Sequence, residues 1–228
     1  MAIQESRKFS LGEKVRNQIK INKTRGDTGS NYGEEWWCYK SNISDYDSSF
    51  GLEIKDILKG KENPIVIDFM APSGTLNFLF KQIPDKNKLG IAISLEDLRT
   101  DQERKKDSNL NVVQIPGDIL KSSTWEKIEY HLQGRKADLI LERAVLGLDC
   151  ITDDIRIHAL LLNKAWQLLS DNNGIFLVEV KIAFKDKVKN LIEEFKRRHE
   201  IEISFIENTL TPGIKLIKTP NSPKRLSL

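Results

Sequence analysis

Acidic residues stand at or near the ends of several short apolar runs in this chain, where carboxylates could bind or activate a substrate. Asp68 lies in the first of these runs, Asp118 follows the third, and Glu142 follows the fourth. A carboxylate accepts hydrogen bonds from amines and hydroxyl groups, and it can act as a general base. These three acids are therefore the first candidates for a functional site.

Basic residues follow two of the same runs. Arg143 comes directly after Glu142, and Lys181 comes directly after the fifth run. An arginine can bind a carboxylate or a phosphate group, and Glu142 can act as a general base or bind a substrate amine. The alternative is that Glu142 and Arg143 are a polar pair at the edge of a sheet and that Lys181 is a solvated lysine at a strand end.

The apolar runs alternate with amphipathic stretches of helical period, a pattern typical of βαβ units and a parallel sheet. The runs are short and almost wholly apolar, as expected for strands buried on both faces. The predicted strands are 65–70, 89–94, 111–115, 137–141 and 174–180. The predicted helices are 75–82, 96–106, 123–132, 153–169 and 185–199.

The end of the chain breaks this alternation. Two further strands, 201–207 and 214–218, have only a short connection between them that no helix fits. They should therefore form an antiparallel hairpin. The sequence predicts a three-layer α/β sandwich with a seven-stranded, mostly parallel sheet that ends in this hairpin.

The first sixty residues have a different character. A helix is predicted at 10–21, followed by a glycine-rich loop at 24–33 and the aromatic pair Trp36 and Trp37. A helix that opens at Asp47 or Ser48 should then continue to Gly60. We predict an N-terminal arm over 1–60 and an α/β domain over 61–228. The tryptophan pair either packs onto the domain or closes over a ligand.

Charge is concentrated at the two ends of the chain. The formal net charge is +3, from 36 Lys and Arg against 33 Asp and Glu. Residues 1–25 carry seven Lys or Arg and two Glu, and the last fourteen residues carry four basic residues and no acid. Two interpretations stay open: the basic ends contact a polyanion such as RNA, or they are solvated tails.

Several classes of protein are disfavoured by composition. The two cysteines, Cys38 and Cys150, are too few for a disulfide framework, and no Cys/His group has the spacing of a zinc site. The first seven residues lack the apolar stretch of a signal peptide, and no apolar run approaches the roughly 20 residues of a membrane span. We therefore expect a cytoplasmic location, no membrane contact and no metal.

Ligands of open α/β sheets bind beyond the carboxyl ends of the strands. The turn that follows the first strand contains Ala71, Pro72, Ser73 and Gly74. Such small residues let backbone amides approach a ligand, and the start of the next helix favours a negative group. This turn is the first place to look for a cofactor.

The whole of 64–218, about two thirds of the chain, resembles a class I S-adenosylmethionine-dependent methyltransferase. The first motif of that family is an acid followed by a G-x-G-x-G loop. Asp68 matches the acid, and Met70, Pro72 and Gly74 stand at the three glycine positions. The family's Gly-Asp-x turn, which contacts adenine, is matched by the string Gly117-Asp118-Ile119.

Two departures accompany the resemblance. Only the last glycine of the first motif is kept. The second motif normally ends in an acid that holds the ribose hydroxyls, as in G-I-D-I-S, whereas this chain has Ala92 at that position. Glu96 or Asp97, a few residues further on, could substitute. A missing charge-assisted hydrogen bond costs roughly 1.5 to 3 kcal/mol.

The resemblance implies S-adenosylmethionine as cofactor and a small molecule or an RNA as methyl acceptor. The residues implied for cofactor binding are Asp68, Met70, Pro72, Ser73, Gly74, Ser94, Glu96, Gly117, Asp118 and Ile119. Apart from the resemblance, Asp68 can be an acid that orders the following loop, and Asp118 can be a turn or N-cap aspartate.

The acceptor side is implied at the ends of strands four and five. Glu142 and Lys181 are the candidate catalytic residues, since related ribose 2′-O-methyltransferases have a hydroxyl-activating lysine after strand five. Trp36, Trp37 and Arg143 are the candidate acceptor-binding residues. The alternative function is a non-catalytic protein of the same fold that binds RNA or a protein partner through its basic termini.

Overall fold

A computed structural model of the chain describes residues 43–69, 73–84, 87–94, 97, 99–146, 155–180, 186, 189–190, 192–193, 196, 201–207 and 213–226. At 44–45, 48–49, 143–146, 155–159 and 180 only the backbone is described. The helix predicted at 10–21 and the Trp36-Trp37 pair lie outside these residues.

Seven strands form one sheet, as the sequence predicts. Their order across the sheet is β3-β2-β1-β4-β5-β7-β6, with β7 antiparallel to both of its neighbours and the pairs among β1 to β5 all parallel. The strands are β1 (Ile65–Phe69), β2 (Leu89–Ser94), β3 (Val112–Pro116), β4 (Leu139–Leu146), β5 (Gly174–Val180), β6 (Glu202–Ile206) and β7 (Gly213–Lys218).

Helices connect the parallel strands, and two short ones precede them. They are α1 (Ile43–Phe50), α2 (Ile54–Ile57), α3 (Gly74–Lys81), α4 (Asp101–Asn109), α5 (Ser122–Leu132) and α6 (Ile155–Leu168). The described residues between 186 and 196 are helical as well. Among the described helices, none is long and apolar enough to cross a membrane.

Side chains alternate between the two faces of the sheet and form two apolar clusters. One cluster combines Ile67 and Phe69 of β1 with Trp166 of α6; we call this side of the sheet the α6 face. The other combines Val66 of β1 with Tyr46 of α1 and with residues of α3; we call it the α1 face. Helix α1 therefore belongs to the same core as β1. The predicted domain boundary at residue 60 stays a prediction.

Helix α4 begins later than predicted. The sequence pattern placed its start at residue 96, whereas the helix begins at Asp101 behind the N-cap residue Thr100. The Thr100 hydroxyl accepts a hydrogen bond from the Glu103 amide (3.3 Å), and the Glu103 carboxylate accepts one from the Thr100 amide (2.7 Å). This reciprocal capping box fixes the helix start.

Strand β4 is longer than predicted. It continues to Leu146, and its register against β5 shifts between Glu142 and Leu146. Glu142 and Arg143 therefore lie inside the strand, not in a loop after it.

The prediction of a single helix that opens at Asp47 or Ser48 is also wrong. The helical conformation is interrupted between α1 and α2 at Gly51, which has a φ of 62°. Asp47 lies within α1.

At the amino-terminal ends of the parallel strands, which we call the amino edge of the sheet, buried lysines bind the ends of helices. Lys218, at the end of β7, is 4% exposed and donates to the carbonyl oxygens of Trp166 (3.1 Å) and Leu169 (3.0 Å) at the end of α6. Lys88, just before β2, donates in the same way to two carbonyls at the end of α3. A cation at a helix C-terminus satisfies free carbonyls and complements the helix dipole.

The basic C-terminal tail is bound to α6. The Asn163 side chain donates to the Leu226 carbonyl (2.6 Å) and accepts from the Leu226 amide (3.3 Å), and Leu226 is 4% exposed. The Trp166 indole donates to the Pro223 carbonyl (2.8 Å). The charged side chains of Lys224 and Arg225 face solvent on this bound segment.

Replacement of Lys218 by methionine should lower the free energy of unfolding by about 1.5 to 3 kcal/mol, because two buried carbonyls lose a charged donor. Urea denaturation monitored by circular dichroism measures the change. Lys215→Met, on the same strand, is the matched control and should change stability much less. Equal losses in the two variants would contradict the proposed role of Lys218.

Candidate active site

The parallel strands bring their carboxyl ends to one side of the sheet, and the predicted site residues that the structure describes lie at or near these strand ends. Asp68 is paired with Ala92 of β2, and Ala92 is paired with Gln114 of β3. Paired residues of neighbouring strands share a face, so these three side chains form one row on the α1 face. Asp68 and Ala92 are fully buried.

Gln114 of β3 joins its own strand to the end of β2 and to the start of α3. Its Oε1 accepts from the Ser73 amide at the start of α3 (2.7 Å), while Nε2 donates to the Ser94 hydroxyl (2.8 Å) and to the Ala92 carbonyl (3.3 Å). The side chain thus crosses over Ala92, where the resemblance would place an acid. The alanine and the glutamine are complementary in size, and a carboxylate at position 92 would meet this amide.

A buried carboxylate anchors the turn after β1 from the other side. Asp107 of α4 is 1% exposed. Its carboxylate accepts hydrogen bonds from the Ser73 hydroxyl (2.5 Å), from the side-chain amide of Asn77 (3.1 Å) and from the Arg99 guanidinium (2.7 Å). A buried carboxylate is tolerated only when it is paired and hydrogen-bonded, and Asp107 meets both conditions. Ser73, a predicted cofactor residue, is therefore held by Gln114 and by Asp107.

Asp97, a predicted substitute for the ribose acid, is bound by two arginines. Its Oδ1 accepts from the Arg99 Nε (2.9 Å), and its Oδ2 accepts from Arg99 Nη2 (2.9 Å) and from Arg104 Nη1 (2.8 Å). The hydrogen bond from Arg99 lowers the pKa of Asp97. Both carboxylate oxygens are used inside the protein, which leaves Asp97 poorly suited to hold a ribose.

The Gly117-Asp118-Ile119 turn lies beside the end of β2. The Gly117 amide donates to the Ser94 carbonyl (2.8 Å), and a Cβ at Gly117 would lie 2.5 Å from the Thr124 hydroxyl oxygen, so only glycine fits. Asp118 Oδ1 accepts from the Leu120 amide (2.9 Å) and thus stabilises the turn. Ile119 is buried in the cluster of the α6 face.

Glu142 lies on the opposite side of the sheet from Asp68. Its neighbours in β4 alternate, with Ile140 on the α6 face and Leu141 on the α1 face, so Glu142 points to the α6 face. It is paired with Phe69 and Val178 and is 3% exposed. Burial raises its pKa to about 8, so the carboxyl is mostly protonated at neutral pH.

Two residues at this edge were not singled out from the sequence. The Tyr46 hydroxyl of α1 donates a hydrogen bond to Asp68 Oδ1 (2.5 Å) on the α1 face. Glu179, next to the end of β5, is 5% exposed. It lies two residues after Leu177 in the strand, so both side chains point to the α1 face. Glu179 had a usable signal, an acid at the end of an apolar run. Tyr46 had none, because its partner lies 22 residues away.

The structure does not describe the side chains of the other predicted site residues. Trp36, Trp37, Met70, Pro72, Glu96 and Lys181 lie outside the described residues, and Arg143 is described by its backbone alone. Among the described residues, no group of His, Cys, Asp and Glu could hold a metal ion.

Sequence comparison gives no relative: no protein-family model matches the chain, and no curated protein matches it. Solved structures do match. An O-methyltransferase from Bacillus cereus in complex with SAH has a TM-score of 0.51 at 10% identity, over 90% of this chain and 91% of its own. A Streptococcus mutans protein assigned as a methyltransferase, also with SAH, has a TM-score of 0.50 at 18% identity, over 72% and 94%. The fold is that of the class I methyltransferases.

A third structure covers more than this domain. The chain is 19% identical to NSun6 from Pyrococcus horikoshii, solved with SFG, over 72% of this chain, with a TM-score of 0.44. The chain spans about half the length of that protein, 49%. At such identities the likeness concerns the methyltransferase fold alone, and the site must be argued from the residues of this chain.

Glu142 should make stability depend on pH. The pKa of about 8 in the folded protein exceeds the ordinary value of 4.5, so the unfolded chain releases this proton first. The stabilising effect is complete below about pH 4.5 and is lost as the pH rises to about 8, at about 1.4 kcal/mol per unit of pKa difference.

Glu142→Gln cannot ionise, so its free energy of unfolding should gain on that of the wild type by a few kcal/mol between about pH 5 and pH 8.5. Urea denaturation at both pH values gives the difference. Glu129→Gln, at an exposed position of α5, should keep a constant offset. Parallel pH profiles for Glu142→Gln and the wild type would show that Glu142 is not buried as described.

Proposed function

We propose that this protein transfers a methyl group from S-adenosylmethionine to a small-molecule or RNA acceptor. One observation carries the proposal: Gln114 of β3 joins the start of α3 to the end of β2 beside a buried row that contains Asp68. This row lies just before the carboxyl ends of β1, β2 and β3, and ligands of open α/β sheets bind beyond these ends. Two solved examples of the fold, with TM-scores of 0.50 and 0.51, contain SAH.

The cofactor residues of this proposal surround that row. Asp68 would accept a hydrogen bond from the amino group of the cofactor, and the buried Ser73-Gly74 turn would allow close backbone approach. Ser94 and the Gly117-Asp118-Ile119 turn would border the nucleoside. Bound S-adenosylmethionine would supply an activated methyl group, so the protein mainly has to hold the acceptor in line with it.

The ribose side is the weak part of this site. The carboxylate at Ala92 is missing, the Gln114 amide crosses the space above it, and Asp97 is engaged by arginines. The affinity for the cofactor should therefore be lower by about one to two decades than in a site that keeps the ribose acid.

The acceptor side of the proposal lies at the ends of β4 and β5. Glu142 is the candidate acid or base, with Lys181 as the second candidate and with Arg143, Trp36 and Trp37 as binding residues. With a pKa of about 8, the Glu142 carboxyl donates a hydrogen bond at neutral pH and becomes a base as the pH rises above that value.

Calorimetric titration with S-adenosylhomocysteine tests the cofactor site. The wild type should bind, and Asp68→Asn should bind about ten- to a hundredfold more weakly, because a charged acceptor is lost. Asp56→Asn removes an exposed carboxylate on α2 and should bind like the wild type.

If the folded wild type releases no heat with millimolar S-adenosylhomocysteine, the methyltransferase proposal fails. That result would instead support a non-catalytic protein that has kept the fold and binds RNA or a protein partner. If Asp68→Asn and Asp56→Asn weaken the binding of S-adenosylhomocysteine equally, Asp68 does not bind the cofactor.

A further inference from the structure

Tyr46 connects the segment before the sheet to the proposed cofactor acid. Its side chain is 1% exposed, and its hydroxyl lies 2.5 Å from Asp68 Oδ1. A buried carboxylate that accepts from a phenol at this distance makes a short, charge-assisted hydrogen bond. The orientation of the Asp68 carboxylate is thus set partly by a residue outside the βαβ units.

The position of the Tyr46 ring is fixed by its neighbours on α1. The ring stacks on Phe50, with centroids 6.2 Å apart and planes 6° from parallel. Phe50 packs in turn against the start of β7, where a Cβ at Gly213 would lie 2.9 Å from its ring. Helix α1 is therefore held at β1 by Tyr46 and at β7 by Phe50. These contacts keep the Tyr46 hydroxyl next to Asp68.

A ligand can still use the same carboxylate. A carboxylate has two oxygens with about four acceptor positions, so it can accept from the Tyr46 hydroxyl and from a ligand amine at the same time. A carboxylate held in one orientation binds that amine without losing rotational freedom at the moment of binding, which favours affinity.

We propose that Tyr46 is a positioning residue for the cofactor: its hydroxyl holds the Asp68 carboxylate in the orientation that binds the cofactor's amino group, and α1 is thereby part of the cofactor site. This inference rests on the proposed function. By linkage, a ligand that binds the oriented carboxylate also stabilises α1 in its packed position.

The test is a double-mutant cycle with S-adenosylhomocysteine affinity, measured by calorimetry, as the readout. Tyr46→Phe keeps the ring and removes only the hydroxyl, and it should weaken binding about tenfold. In the Asp68→Asn background the same substitution should have no further effect, because Tyr46 acts through that carboxylate. Tyr130→Phe, which removes an exposed hydroxyl on α5, is the control and should bind like the wild type.

A second measurement covers the case in which Tyr46→Phe fails to fold. In the wild type, S-adenosylhomocysteine should slow amide hydrogen exchange across Ile43–Phe50, and it should leave exchange in α5 unchanged.

The outcomes separate the two proposals. Absence of binding to the wild type would overturn the proposed function and this inference with it. Binding by the wild type that Tyr46→Phe leaves unchanged would overturn the inference alone. Equal losses from Tyr46→Phe in the wild-type and Asp68→Asn backgrounds would also overturn it, since Tyr46 would then act independently of Asp68.

Discussion

The side-chain amide of Gln114 bridges the start of α3, the end of β2 and its own strand, and the geometry of the carboxyl edge depends on this bridge. Backbone hydrogen bonds align parallel strands only within the sheet, so the turns beyond their ends need side chains to hold them. Ser73 is held twice, by Gln114 and by Asp107. The turn after β1 therefore ends in a fixed position, although the chain has only one of the three glycines of the G-x-G-x-G motif that it resembles.

Buried carboxylates at this edge are stabilised in different ways. Asp107 is paired with Arg99 and accepts further hydrogen bonds from the side chains of Ser73 and Asn77. Asp68 accepts from the Tyr46 phenol. Glu142 lacks a comparable donor among the described residues and instead keeps its proton, at a pKa of about 8. Two acids on opposite faces of one sheet thus have different surroundings, which fits the different roles that the proposed function gives them.

Periodicity predicted the sheet well, because short apolar runs buried on both faces have few other interpretations. It placed β2 and β5 at their observed bounds and predicted the terminal hairpin. It failed where local capping decides, as at Thr100, and where pairing extends a strand past its apolar run, as at Glu142. The contacts of Gln114 and Tyr46 could not be predicted, since each depends on strand register or on a helix packed from elsewhere in the chain.

The buried lysines at the amino edge also affect how the chain meets reagents and proteases. Lys88 and Lys218 have their ammonium groups inside the protein, so amine acylation and tryptic cleavage at these positions require the protein to open first. Their modification rates would report the opening of the end of α3 and the end of α6 separately. Exposed lysines such as Lys105 and Lys224 would react from the folded state and provide the internal reference.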